Sequence, residues 1–117
     1  MHLHPSMFAS PTVHEHAIKL GDEMEHKLFF REITNEQFRK FQIAERSEDL
    51  DVRSTAPAIL IAASLCDEKG NDVIDVEKAA TIRPDVAARM TNVILDINGF
   101  GAKKESPSAE NTGSAAS

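Results

Sequence analysis

The stretch Leu28-Phe29-Phe30-Arg31-Glu32-Ile33-Thr34-Asn35-Glu36-Gln37-Phe38-Arg39-Lys40-Phe41 changes its hydrophobic period in the middle, so a strand must hand over to a helix there. Before Thr34, the residues Met24, His26, Leu28 and Phe30 share one parity, which is a strand pattern. After it, Phe38 and Phe41 are spaced as on a helix face. Thr34 is the switch. As an N-cap its hydroxyl accepts from the Gln37 amide, and the Gln37 side chain accepts from the Thr34 amide, which makes a capping box. Ile33 and Phe38 then stand at the two positions of a hydrophobic staple that sets how the chain enters the helix. Such a cap is worth about 1 kcal/mol. Four of the six Phe residues lie in this stretch, so the core is expected to condense on it.

Read outward from that switch, the chain predicts a small α+β fold: an N-terminal β-hairpin followed by three to four helices, with disordered ends. Residues 1–12 contain Pro5 and Pro11 and are expected to form a flexible leader; residues 13–100 form a single domain. Val13 to Leu20 alternates, Gly21-Asp22 suits a two-residue type II′ turn, and Glu23 to Arg31 returns. A hairpin alone is marginal in water and needs the following helix, Asn35 to about Arg46, to pack against. Ser47 to Ser54 is polar and acidic and reads as a loop or a loose turn. Thr55 to Cys66 is apolar nearly all round, with Pro57 in its first turn, and predicts the central buried helix; a strand over Ile59 to Ile61 competes, but the flanking alanines and the length favour helix. Asp67 to Asp72 is a turn cluster, and Asp75 caps a short helix from Val76 to Ile82. Pro84 opens a last helix with Val86, Met90, Val93, Ile94 and Ile97 on one stripe. Gly99 ends it as a left-handed cap, with Phe100 folding back toward Leu95. Residues 101–117 carry no large apolar group and are expected to be disordered.

Composition narrows the functional classes. A chain of 117 residues with net charge −6 and no basic run does not suit a phosphate-facing nucleic-acid surface. No apolar run approaches the roughly 20 residues of a membrane span, and residues 1–12 lack the pattern of a secretory signal, so a cytoplasmic setting is expected. The lone Cys66 excludes an intrachain disulfide and fits a reducing compartment. As a nucleophile it would need a lowered pKa, which the adjacent Asp67 and Glu68 oppose; a small packed hydrophobe is the better reading. His14 and His16 share a strand face and could chelate a transition metal with His26 across the hairpin; the plainer reading is exposed polar residues on an edge strand. The acidic turn from Asp67 is not an EF-hand, because Lys69 occupies the third position and Gly70 is misplaced. No phosphate loop or nucleophile elbow occurs, and neither an enzyme nor a cofactor is expected.

Three segments in order carry a family resemblance. Leu28-Phe29-Phe30-Arg31-Glu32-Ile33-Thr34 followed by Phe38-Arg39 resembles the start of the tail assembly chaperones of long-tailed bacteriophages and prophages. Ala58 to Leu65 with Cys66-Asp67-Glu68-Lys69-Gly70 is similar to their middle, and Val93-Ile94-Leu95-Asp96-Ile97-Asn98-Gly99-Phe100 to their closing helix. The resemblance runs from about Ile18 to Phe100. It implies a non-enzymatic protein that binds the long tape measure protein, keeps it soluble while tail tube subunits assemble around it, and is left out of the finished virion. It also implies a longer form, made by −1 ribosomal frameshifting, whose extension contacts the tube protein. Ala102-Lys103-Lys104 can be encoded as GCA AAA AAG, which contains a slippery heptamer.

A protein of this kind needs a surface that covers apolar stretches of its client. The candidate surface is the final helix's Met90, Val93, Ile94 and Ile97 together with Phe38 and Phe41 of the first helix; the competing reading of the same residues is core. Self-association through the apolar helices into a homo-oligomer is a further expectation. Two other readings share the fold: a small regulatory or adaptor domain with a different client, and a metal-binding protein built on His14, His16 and His26.

Overall fold

The computed structural model describes residues 3–100; the expected tail at residues 101–117 and its Ala102-Lys103-Lys104 frameshift site lie outside the described residues. The fold is α+β. Strands β1 (Val13–Lys19), β2 (Glu25–Arg31) and β3 (Leu65–Cys66) form an antiparallel sheet in the order β1-β2-β3. The helices are α1 (Asn35–Glu45), α2 (Leu50–Arg53), α3 (Ala56–Ser64), α4 (Val76–Ala79) and α5 (Pro84–Ile97).

The period change at Thr34 does what the sequence predicts. Gln37 N–H donates to Thr34 Oγ1 at 3.2 Å, and Thr34 N–H donates to Gln37 Oε1 at 2.9 Å. Asp75 caps α4 by accepting from Lys78 N–H at 2.8 Å. At the end of α5, Phe100 N–H donates to Leu95 C=O and Gly99 N–H to Asp96 C=O, with Gly99 at φ 88°, which is a complete Schellman motif. The Phe100 ring stacks on Phe38, with centroids 4.5 Å apart and planes 5° from parallel. Asn98 then ties the two ends together: its Oδ1 accepts from Ile33 N–H at 2.9 Å, and its Nδ2 donates to Ile94 C=O at 2.8 Å.

Four segments differ from the expectation. The hairpin does not close through a two-residue turn at Gly21-Asp22. Glu23 N–H donates to Leu20 C=O and Leu20 N–H to Met24 C=O, so three residues form the loop and Glu23 takes φ 67°. Asp22 Oδ1 holds that shape by accepting from Met24 N–H. At Gly21 the Arg83 guanidinium lies close over the turn: a Cβ there would sit 2.6 Å from it and would displace that flexible side chain. Ser47 to Ser54 is not all loop, because Asp49 accepts from Asp51 N–H and Val52 N–H and starts α2. The central helix stops at Ser64, and Leu65-Cys66 pairs with Phe30 and Phe29 as β3. Residues 3–12 are not bare leader: Pro5–Met7 forms a 3-10 turn, and Ser10 N–H donates to Glu32 Oε1 at 2.9 Å.

α3 is the hub, packing on α1, α4 and α5, while α5 also packs on β1 and β2. Phe30, Leu60, Ile61 and Ile94 are fully buried at the centre. Each such side chain contributes about 1.5–3 kcal/mol by burial. Two bonds fasten the sheet to the end of α3: the buried Ser64 Oγ donates to Arg31 C=O at 2.7 Å, and Arg31 Nε donates to Ala63 C=O at 3.0 Å. The Arg31 guanidinium also donates to Gly70 C=O and pairs with Asp72, so one side chain clamps sheet, helix end and the 67–72 turn.

Candidate functional site

An open groove of about 430 Å³ runs between α3, α4 and α5. Pro57, Ala58 and Ile61 supply the α3 wall; Ala79, Ala80 and Ile82 supply the side of α4 and the turn after it. Ala87, Ala88 and Thr91 supply the α5 wall. The groove follows from side-chain size. The large stripe of α5, namely Val86, Met90 and Ile94, is buried in the core, and the neighbouring face carries alanines. Low ridges leave space between helices that a Leu or Phe would fill. Thr91 Oγ1 is buried and has no hydrogen-bond partner among the described residues. The polar groups of the rim are Ser54, Thr91 and Asn92, all uncharged. Such a surface can bury apolar side chains of another helix.

The six residues singled out from the sequence do not form one surface. Phe41, Met90 and Ile94 are 6%, 3% and 0% exposed and belong to the core, which removes them as a docking face. The reason is that α1 and α5 both pack on α3, so their stripes point inward. Phe38, Val93 and Ile97 are half-buried against that core. Phe38 lines a second, smaller cleft of about 210 Å³ with Ile33, Asn98 and Phe100. The groove itself escaped sequence reasoning because alanines at helical spacing stand out in no hydrophobic pattern. Its one sequence signal is the clustering of Ala79, Ala80, Ala87 and Ala88 around Pro84.

The histidines of the metal reading are kept apart by the register. His14, His16 and His26 lie opposite Phe30, Leu28 and Ile18. His26 Nε2 is bound by Asp22 at 2.9 Å, His14 Nε2 lies 3.8 Å from Glu32, and His16 sets its ring edge-on to Phe30. Among the described residues no three His, Cys, Asp or Glu side chains come together as a metal-ligand set. Cys66 is buried, and burial pushes its thiol up, with Asp67 and Asp72 adding to the effect against Arg31, so it stays protonated. Asp67 spends its carboxylate on the turn, accepting from Lys69 N–H and Asn71 N–H; chiefly the Asn71 bond holds its carboxyl below the ordinary value. Among the described residues no helix is long and apolar enough to cross a membrane. No family model, curated protein or solved structure matches this chain.

Proposed function

We propose that this chain is a tail assembly chaperone of a long-tailed bacteriophage or prophage. It works in the host cytoplasm, holds the tape measure protein soluble by covering its apolar helical segments, and leaves before the virion is complete. The reading rests on the ordered resemblance of Leu28–Thr34, Ala58–Gly70 and Val93–Phe100. The observation that carries it is the open, uncharged groove on α3, α4 and α5, which suits the ridge of an amphipathic helix. A longer form made by −1 frameshifting at Ala102-Lys103-Lys104 would add the segment that recruits the tube protein.

Co-expression with the tape measure protein encoded nearby tests this reading. The client is expected to stay soluble and to co-purify with the chain, and Ala88→Leu, which fills the groove from its exposed rim, is expected to lose both. A client that precipitates beside abundant folded protein, with the longer form as well, overturns the proposal. Unchanged capture by Ala88→Leu moves the contact off the groove.

A further inference from the structure

The hairpin leaves one strand edge open, and its pattern fits a second copy of itself. Leu20 N–H donates to Met24 C=O at 3.1 Å, so Leu20 and Met24 are a hydrogen-bonded pair in the register of Ile18↔His26, His16↔Leu28 and His14↔Phe30. Antiparallel pairs alternate, so the backbone N–H and C=O groups of Val13, Glu15, Ala17 and Lys19 point away from β2. Among the described residues their one hydrogen-bond partner is Arg89, whose Nη1 donates to Lys19 C=O at 2.7 Å. Natural edges are usually blunted by prolines, bulges or charges. Here Pro11 precedes the strand and Arg89 covers its last carbonyl, but the middle, with Ala17 exposed, is bare.

We infer that two copies of this chain pair through β1, antiparallel, with Ala17 on the two-fold axis. Charge selects that register. Glu15 and Lys19 stand two residues either side of Ala17 on the same sheet face, so each Glu15 faces the second copy's Lys19, and each Lys19 its Glu15. Centring on Glu15 would oppose like charges, and centring on His16 would set two imidazoles together and lose the ion pairs. Ala17 places the smallest side chain of the strand where the two copies cross. Within one copy, Glu15 pairs with Lys27 at 3.5 Å and Lys19 with Glu23 at 3.4 Å. Both contacts are exposed and worth little, so neither opposes the switch. The product is one continuous antiparallel sheet, β3-β2-β1 joined to β1-β2-β3, and it goes beyond the client-binding groove, which lies on α3, α4 and α5.

Sedimentation of the full chain over micromolar to millimolar concentration tests this. Wild type is expected to reach a dimer. Glu15→Lys alone or Lys19→Glu alone puts like charges at both contacts and is expected to raise the dissociation constant at least about tenfold. An equimolar mixture of those two variants restores opposite charges at both contacts and is expected to form the heterodimer. Ala17→Pro removes an N–H that β2 does not use and is expected to give a folded monomer. A wild type that stays monomeric throughout overturns the inference, whether or not it captures a client. So does a dimer indifferent to both charge reversals, which places the contact elsewhere. Should Ala17→Pro unfold the chain, the mixing experiment decides alone.

Discussion

α3 has two neighbourhoods, and they are built from the same kind of residue at different sizes. On its closed side Leu60 joins Phe30 and Ile94 in the core with no exposed surface left. Toward α4 and the adjacent face of α5 it presents Pro57, Ala58 and Ile61, which with Ala79, Ala87 and Ala88 line an open groove. Both sides are apolar. What separates a core from a groove here is volume rather than polarity. Close packing needs side chains that reach across, and alanines do not. The open side therefore has room for apolar side chains that the described residues do not supply.

Removing volume from the closed side should have the largest effect. Leu60→Ala is expected to cost about 2–5 kcal/mol, read as a shift in the denaturation midpoint at unchanged slope. A loss under about 1 kcal/mol would mean that this side is no better filled than the groove. Next comes the link between the two ends of the helical layer. Asn98→Ala strips the acceptor from Ile33 N–H and a donor from Ile94 C=O, and should cost about 1–3 kcal/mol. The smallest change belongs to the open side. Ala88→Leu adds volume where space exists and should leave stability within about 0.5 kcal/mol of wild type. If it destabilises like an overpacked core residue, by about 1–3 kcal/mol, the groove is tighter than its shape suggests.

Local signals in the sequence translated directly into structure. The Thr34–Gln37 box, the Asp75 cap and the Gly99 stop are each decided within a few residues, so propensity and capping chemistry suffice to read them. Features that depend on distant partners were not readable. Leu65-Cys66 continues an apolar helical run, and only pairing with Phe29 and Phe30 makes it a strand. The hairpin loop is the exception: it is decided locally, where Asp22 accepts from Met24 N–H and Glu23 takes a left-handed conformation that a non-glycine residue rarely adopts, so the Gly21-Asp22 signal misleads. Asn98 reads as part of a helix stop, whereas its side chain bonds to Ile33 across the domain. For the candidate surface, the stripe of Met90 and Ile94 marks burial, and burial alone does not say whether the cover is the same chain or another.

The Arg31 clamp has a consequence for how the molecule comes into being. Its side-chain partners Ala63, Gly70 and Asp72 lie 32, 39 and 41 residues further along. The β1–β2 hairpin is complete once Arg31 has left the ribosome, while α5, which packs on both of its strands, is still to follow. At about 5–20 residues per second the exposed hairpin waits several seconds before Asp72 appears. Its apolar face, Ile18, Leu28 and Phe30, lacks the cover of α5 throughout that interval. Nascent chains on one message are close neighbours then; the guanidinium finds its late-made acceptors first, and the face is covered only when α5 follows.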